Sequence, residues 1–172
     1  MSHWPWIQED VLILIVGKSG SGKNWLCEKK GLISIPSYTT RPMRQGELEG
    51  KEHIFVSCYD FDLDADPAAY TEFNGYKYWV TFDQINDPEY DAYIVDTVGL
   101  NDVLYYGEMG RITKRLRVLF VNCPWYRRLW RMLFRGDGIR RAIGRLINDE
   151  KAFADFETII RRYGWHYETI AN

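Results

Sequence analysis

A glycine-rich segment that ends in a lysine follows an apolar run near the start of the chain. The segment, Gly17-Lys18-Ser19-Gly20-Ser21-Gly22-Lys23, has the spacing G-x-x-x-x-G-K, and the apolar run before it covers residues 11–16. Glycines at this spacing let backbone N–H groups turn around phosphate oxygens, and the start of the next helix adds partial positive charge. The sequence therefore predicts a loop that binds the phosphates of a nucleoside triphosphate, with contacts from Gly17, Ser19, Gly20, Ser21, Gly22, Lys23 and Asn24.

The residue after this lysine departs from the usual motif. Asn24 stands where Ser or Thr normally offers a hydroxyl group to Mg²⁺. An asparagine oxygen can bind Mg²⁺, but the side chain is longer and its geometry differs. We therefore expect Asn24 to be a Mg²⁺ ligand that weakens metal affinity or turnover. The loop alone predicts triphosphate binding and no particular reaction.

A second motif follows the loop. Residues 37–57 read S-Y-T-T-R-P-M-R-Q-G-E-L-E-G-K-E-H-I-F-V-S. Arg41 and Arg44 come after a turn-forming threonine pair, and two guanidinium groups at this spacing can converge on one phosphate. The segment resembles the guanylate kinase family pattern S-x-T-T-R-x-x-R-x-G-E-x-x-G-x-x-Y-x-F-V-S over its full length. The resemblance extends nearly to the C-terminus, at lower density after residue 60.

The resemblance implies an acceptor site for a nucleoside monophosphate. The residues expected there are Ser37, Arg41, Arg44, His53, Glu72, Tyr78 and Asp96. By analogy with the family, Arg41, Arg44 and Tyr78 would bind the acceptor phosphate, whereas Glu72 would accept hydrogen bonds from the base, with Ser37 donating to that base. Asp96 begins D-T-V-G, which resembles the family's D-x-x-G, and would lie near the acceptor and the Mg²⁺-bound water.

A third match lies in the arginine-rich part of the chain. Residues 131–136, R-M-L-F-R-G, resemble the R-L-x-x-R-G of the family's helical lid, and Arg145-Leu146 resembles a later R-L of the same lid. The resemblance makes Arg135 and Arg145 candidates for neutralising the transferring phosphoryl group, together with Lys23 and Arg41. Asn172 resembles a nucleotide-contacting asparagine of the family.

Two departures concern the acceptor. His53 replaces a tyrosine that contacts the acceptor phosphate, and an imidazole could still donate a hydrogen bond. Tyr78-Trp79-Val80-Thr81 stands in place of Y-G-[ST]-T, so one hydroxyl is lost and Trp79 is expected to pack into the acceptor site. A pocket built on one carboxylate suits guanine, which favours GMP or dGMP as the acceptor. The alternatives are a kinase for another (deoxy)nucleoside monophosphate and a catalytically impaired guanylate-kinase-like binding module.

The elements that must position these residues follow an α/β pattern. Apolar runs at 11–16, 32–35, 92–96 and 118–122 predict strands, most of them buried in a parallel sheet, and helices are predicted over about 23–30 and after each of the last two runs. Residues 36–90 predict short antiparallel strands, and residues 125–162 predict helices broken at 136–138. We therefore predict a three-layer P-loop sandwich with a mostly parallel sheet, an inserted small α+β region that binds the monophosphate, and a helical lid.

These segments predict a single domain over residues 1–172. Its core would comprise 8–35, 91–123 and 155–172, with the insertion at 36–90 and the lid at 124–154. The net charge of −2 argues against a general nucleic-acid binder. Residues 1–10 do not resemble a signal peptide, and no apolar stretch reaches the roughly 18 residues of a membrane span.

The remaining expectations concern the compartment, the partners and the cofactors of the protein. Cys27, Cys58 and Cys123 are odd in number and lack metal-ligand spacing, which predicts buried thiols in a reducing compartment. We expect a cytoplasmic protein, a monomer or homodimer, that uses ATP and Mg²⁺ and binds neither nucleic acid nor a membrane.

Overall fold

The protein contains a parallel sheet with helices on both faces and a second, smaller sheet. The structure is a computed structural model and describes residues 10–44, 46–57, 66–73, 75–136 and 138–172. The strands are β1 (Val11–Val16), β2 (Ser37–Thr39), β3 (His53–Phe55), β4 (Ala69–Phe73), β5 (Tyr76–Val80), β6 (Ala92–Val95), β7 (Arg115–Asn122) and β8 (Tyr167–Ala171). The helices are α1 (Lys23–Lys30), α2 (Phe82–Asn86), α3 (Thr97–Glu108), α4 (Trp125–Phe134), α5 (Ile139–Ala152) and α6 (Phe156–Arg162).

The main sheet has the strand order β6-β1-β7-β8, and all three pairings are parallel. All six residues of β1 are buried. Alternate residues of a strand point to opposite faces. Leu12, Leu14 and Val16 accordingly pack with residues of α3 and α6, whereas Ile13 and Ile15 pack with residues of α1. Burial on both faces explains the continuous apolar run in the sequence, and the predicted three-layer α/β fold is confirmed.

The second sheet has the order β3-β2-β5-β4 and lies within residues 36–90. The pairs β4–β5 and β2–β5 are antiparallel, as the sequence predicted, but β2 and β3 are parallel. Ser37 is the register partner of His53 in this parallel pair. The parallel pairing therefore places two predicted site residues side by side, which the short antiparallel pattern did not anticipate.

Helices α4 and α5 lie within residues 124–154, the segment that the sequence predicts as a lid, and they contact each other. The break between them falls at residues 135–138, close to the predicted break at 136–138. Gly136 has a positive φ of 86°, a conformation that favours glycine and ends the helical turn. The division into core, insertion and lid remains a prediction.

The structure also bears on the predicted strand at 32–35 and on the cysteines. Residues 32–35 do not form a strand: Ser34 makes a single isolated bridge with Ala92, and the Ile35 amide donates to the carbonyl oxygen of Ala92 at 2.8 Å. This short stretch runs beside β6 but turns away into β2 before a ladder can form. Cys27 and Cys123 are buried free thiols, as expected, and Cys58 lies outside the described residues.

No helix in the described part of the chain combines the length and the apolar character that a membrane crossing would require.

Candidate active site

The predicted phosphate-binding loop lies between the end of β1 and the start of α1. Gly20 and Gly22 have positive φ values of 74° and 90°, which residues with a Cβ rarely adopt. A Cβ on Gly22 would lie 2.3 Å from Nδ2 of Asn172, and a Cβ on Gly20 would lie 2.8 Å from the carbonyl oxygen of Arg128. These glycines are therefore required by the turn and by the close packing around it.

Side chains from α4 and from the residue directly after β8 bind the backbone carbonyls of this loop. Arg131 Nη1 donates to the carbonyl oxygen of Ser21 at 3.0 Å, and Nδ2 of Asn172 donates to the same oxygen at 2.7 Å. The Ser21 hydroxyl is buried and has no hydrogen-bond partner. Every other buried side-chain polar atom of the described residues has one. Because burying an unpaired hydroxyl is costly, it is a natural contact for a polar ligand in the loop.

Lys23, the first residue of α1, turns back onto the loop. Its Nζ donates to the carbonyl oxygen of Gly17 at 2.5 Å and to that of Lys18 at 3.4 Å. Burial lowers the pKa of Lys23 to about 8, although the carboxylates of Asp149 and Asp96 oppose this shift. An anionic ligand beside Nζ would favour the charged ammonium form.

A cavity of about 350 Å³, here called the inner cavity, opens beside Lys23. It lies between the carboxyl end of the main sheet and the second sheet. Five of the predicted acceptor residues line it: Ser37, His53, Glu72, Tyr78 and Asp96. The structure thus brings together residues that are up to 59 positions apart in the chain, from β2, β3, β4, β5 and the end of β6.

His53 and Ser37 form a polar pair on one wall of the inner cavity. Ser37 Oγ lies 2.9 Å from His53 Nδ1, and the His53 ring meets the Tyr78 ring edge to face at 5.8 Å between centroids. Burial, and secondarily the charge of Arg41, lowers the pKa of His53 below its ordinary value. The imidazole is therefore neutral at neutral pH and acts as a hydrogen-bonding group rather than a cation.

The two arginines of the second motif have different environments. Arg41 is buried, and its Nη1 and Nη2 donate to the two carboxylate oxygens of Glu47 at 2.8 and 2.9 Å. Glu47 also accepts a hydrogen bond from the Arg44 amide at 2.8 Å. Since both ends of the Arg41 guanidinium bind Glu47, its predicted contact with a phosphate requires this pair to rearrange. Arg44, in contrast, lines a cavity.

This second cavity, here called the arginine cavity, has a volume of about 560 Å³. It shares with the inner cavity Ser19 and Lys23 at the phosphate loop and His53, Phe73 and Tyr78 of the second sheet, so the two spaces meet between the loop and that sheet. Its cationic lining consists of Lys23, Arg44, Arg131, Arg135 and Arg145. Burial and the charges of Arg41, Arg145 and Arg135 lower the pKa of Arg44 below its ordinary value. This concentration of positive charge favours binding of an anion.

The two predicted metal ligands line different cavities. Asn24 is exposed and lines the arginine cavity, whereas Asp96 lines the inner cavity. Asp96 caps α3, and its Oδ1 accepts hydrogen bonds from the Gly99 amide at 2.8 Å and the Thr71 hydroxyl at 3.1 Å. No group of three potential metal-binding acids, histidines or cysteines occurs in the described ranges. A carboxylate and an amide oxygen nevertheless suit Mg²⁺, which commonly completes its shell with phosphates and water.

Two residues that the sequence motifs do not mark also reach the loop. Asp149 of α5 accepts hydrogen bonds from the Ser19 amide at 2.7 Å and the Ser19 hydroxyl at 3.0 Å. Arg128 of α4 is buried and donates to Asp149 at 2.6 Å and to the carbonyl oxygen of Ser19 at 3.0 Å. The only sequence signal for Asp149 is an acidic pair, Asp149-Glu150, directly after the arginine-rich segment.

Trp79 does not enter the acceptor region as expected. Its ring is buried and stacks on Tyr38 with centroids 5.4 Å apart, and the two residues are cross-strand partners. Successive residues of a strand face opposite sides, so Tyr78 faces the inner cavity while Trp79 faces away from it. Trp79 therefore stabilises the second sheet from the face opposite the inner cavity and does not reshape that cavity directly.

Comparison with known proteins relates the chain to one family. A guanylate kinase of Baumannia cicadellinicola subsp. Homalodisca coagulata is 30% identical over 178 residues, which cover 91% of this chain and 84% of that protein. A guanylate kinase of Geobacter sulfurreducens is 40% identical over 81 residues, but the match spans 41% of this chain and only 39% of that relative. No protein-family model matches the sequence.

The fold agrees with this comparison. The crystal structure of guanylate kinase from Anaplasma phagocytophilum superposes with a TM-score of 0.56 at 21% identity, over 97% of this chain and 79% of that one. At this identity the likeness concerns the fold alone. Together with the match over most of the chain to the Baumannia protein, it shows that this chain is a divergent member of the guanylate kinase family.

Proposed function

We propose that this protein transfers the γ-phosphoryl group of ATP to a nucleoside monophosphate, with GMP or dGMP as the favoured acceptor. The observation that carries the proposal is the meeting of two cavities at Lys23. One is lined by the cations Arg44, Arg135 and Arg145, and the other by the carboxylates Glu72 and Asp96. Phosphoryl transfer needs a donor and an acceptor held in line, with charge stabilisation between them.

The donor side of the proposed reaction is the loop from Gly17 to Asn24. Its backbone N–H groups and the Ser21 hydroxyl would bind phosphate oxygens, and Lys23 would move from the loop carbonyls to the phosphates. Arg135 and Arg145 would neutralise negative charge that develops on the transferring group. Both arginines line the same cavity as the loop, so little movement is needed for this contact.

The acceptor side is the inner cavity. Glu72 is an exposed carboxylate on β4 that can accept two hydrogen bonds, which matches the adjacent N1–H and N2–H₂ donors of guanine. Ser37 and His53 supply neighbouring polar atoms, and Tyr78 and Arg44 lie where the acceptor phosphate would meet the arginine cavity. Val80 is fully buried, so the hydroxyl that the family has at this position is replaced by a core contact.

Asn24 and Asp96 would hold Mg²⁺, which would supply charge neutralisation at the phosphates of the bound nucleotide. The residues of this chain would bind the two nucleotides and orient them for transfer. Because the acceptor phosphate oxygen is already ionised near neutral pH, none of these residues is required as a general base.

The proposal is tested by measuring ADP release from ATP and Mg²⁺ with a panel of ribo- and deoxynucleoside monophosphates. We expect stimulation by GMP or dGMP, and a loss of at least about 100-fold in Lys23→Ala, because a cation at the phosphates is removed. Lys29→Ala is the matched control. Lys29 lies on the same helix and contacts the Trp25 ring at 4.5 Å, so this variant should keep its activity.

The panel also separates the alternatives. If only a different monophosphate stimulates ADP release, the proposed mechanism stands but the acceptor is that monophosphate and not GMP or dGMP. ATP binding without transfer to any monophosphate would contradict the proposal and favour a binding module that has lost catalysis.

A further inference from the structure

A carboxylate of the lid region occupies the phosphate loop. Asp149, on α5, accepts hydrogen bonds from both the amide and the hydroxyl of Ser19, at 2.7 and 3.0 Å. The two residues are 130 positions apart in the chain. A backbone amide and a hydroxyl at the entrance of a helix are the donors that such a loop offers to an anion. Asp149 thus makes the kind of contact that a phosphate oxygen would make.

A buried arginine holds this carboxylate in place. Arg128, with a side-chain exposure of 2%, donates through Nη2 to Asp149 at 2.6 Å and through Nε to the carbonyl oxygen of Ser19 at 3.0 Å. The Arg128 backbone also packs directly against Gly20. The loop, α4 and α5 are therefore joined by one charge-assisted network, in which Asp149 is the only anion that contacts the loop backbone among the described residues.

The same carboxylate acts on the lysine of the loop. Asp149 and Lys23 both line the inner cavity, and among the charges around Lys23, Asp149 has the largest effect in favour of the ammonium form. Ser19 and Lys23 are both expected to bind ATP phosphates. An incoming terminal phosphate would therefore meet a carboxylate at the same donors, and two anions cannot share them without strong repulsion.

Glu150 provides the contrast. It contacts Lys18 and donor Nη1 of Arg128, the latter at 3.3 Å, but its side chain is 60% exposed. Both contacts are with side chains, not with the loop backbone. Glu150→Gln removes one negative charge from the same helix, as Asp149→Asn does, but it does not free the Ser19 amide.

We propose that Asp149 is an internal anion on the phosphate loop, which the terminal phosphate of ATP must displace. Asp149 then lowers the affinity for ATP in the free protein and couples ATP binding to release of α5 from the loop. This inference rests on the proposed function, since it takes ATP as the ligand of the loop.

The test is the affinity of the purified full chain for ATP and for AMP, measured by calorimetry on the wild type, Asp149→Asn and Glu150→Gln. We expect Asp149→Asn to bind ATP at least threefold more tightly than the wild type, because the amide lacks the competing charge. Glu150→Gln should stay within twofold of the wild type. AMP lacks the terminal phosphate, so its affinity should not change in Asp149→Asn.

Equal or weaker ATP binding by Asp149→Asn would overturn the displacement, and so would an equal gain in Glu150→Gln. In both cases the proposed kinase function would stand. Absence of ATP binding by every protein, the wild type included, would overturn both proposals together.

A measurement on the wild type avoids any dependence on the folding of a variant. The ¹³C carboxyl resonance of Asp149 should shift during a titration with ATP and stay unchanged with AMP. A resonance that does not move at saturating ATP would show that the carboxylate stays on the loop, and this result would also overturn the displacement.

Discussion

At the scale of single residues, the ammonium group of Lys23 is subject to opposing influences. Burial favours its neutral form, and the carboxylates of Asp149 and Asp96 favour its charged form, with a pKa of about 8 as the result. This value is well below that of an exposed lysine. The protonation state of Lys23 therefore changes within a pH range that is accessible to binding experiments.

The affinity for ATP should consequently fall as the pH rises through about 8. The phosphates bind the charged ammonium form, so a proton must be taken up with ATP wherever the free lysine is neutral, and the affinity loses up to about tenfold per pH unit there. Calorimetric titrations between about pH 7 and pH 9.5 measure this slope. Lys23→Arg is the control, because a guanidinium group stays charged over this range. A flat affinity in the wild type would contradict the lowered pKa.

Glu47 is the second residue whose environment decides its role. It pairs bidentately with the buried Arg41 and accepts the amide of Arg44, so it fixes both arginines of the motif. Burial would raise the pKa of Glu47, but the hydrogen bonds from Arg41 and Arg44 outweigh this effect and place it below its ordinary value. The carboxylate is therefore ionised near neutral pH and serves as a positioning residue for Arg44.

Replacing Glu47 by glutamine should lower the free energy of unfolding by about 3 kcal/mol, because it leaves the charge of Arg41 buried without its partner. It should also raise KM for the monophosphate more than KM for ATP, since Arg44 lines the arginine cavity. Denaturant unfolding and steady-state kinetics measure the two effects. Glu52→Gln, whose side chain can still accept the hydrogen bond from the Leu48 amide, is the control. Equal changes in both KM values would contradict a role specific to the acceptor.

At the scale of secondary structure elements, an aromatic cluster fixes the end of the lid region to the main sheet. Phe156 of α6 stacks on Phe120 of β7 with centroids 5.1 Å apart and meets Tyr167 of β8 edge to face at 5.0 Å. Phe153, directly after α5, lies 6.0 Å from Phe120. The cluster therefore sets the position from which α5 reaches the phosphate loop.

Phe156→Ala should destabilise the protein by about 3 to 4 kcal/mol, because Phe156 is only 4% exposed and its loss leaves a cavity between α6 and the sheet. Phe134→Ala is the matched control. Phe134 also stacks on an aromatic ring, that of Trp130, but it is 74% exposed, so its loss should change the stability by no more than about 0.5 kcal/mol. Chemical denaturation compares the two. A similar loss in both variants would contradict the assignment of α6 to the core.

The elements differ in how far the sequence could predict them. The apolar run of β1 and the glycines after it predicted the strand, the loop and α1, because all the information is local. The stretch 32–35 was wrongly predicted as a strand: Leu32 and Ile35 are buried beside β6 without a ladder, and Ile33 is exposed. Whether an apolar run forms a full ladder with a neighbouring strand depends on the direction that the following chain takes. The local sequence pattern carries no information about that direction.

The candidate site shows the same limit. The family motifs identified Ser37, Glu72, Tyr78 and Asp96, and the structure gathers them around one cavity. The motifs did not show that Arg41 is held by Glu47, nor that Asp149 reaches Ser19 across 130 residues. Such pairings depend on where α5 lies over the loop. A carboxylate after an arginine-rich run is otherwise indistinguishable from an ordinary surface charge.

At the scale of the whole molecule, the net charge of −2 conceals a strongly uneven distribution. Cations from the loop, the second motif and the lid line the arginine cavity, while the inner cavity carries Glu72, Asp96 and Asp149. This arrangement separates a region suited to phosphates from a region suited to hydrogen-bond donors of a base. In the proposed reaction, one substrate spans the two regions and receives a phosphoryl group where they meet.

The most direct test is to incubate the protein with γ-labelled ATP, Mg²⁺ and GMP and to identify the labelled product. We expect GDP labelled in its new β-phosphate, an equal amount of unlabelled ADP, and no comparable product from Lys23→Ala. Label found only in inorganic phosphate, or no turnover despite bound ATP and GMP, would contradict phosphoryl transfer between the two cavities.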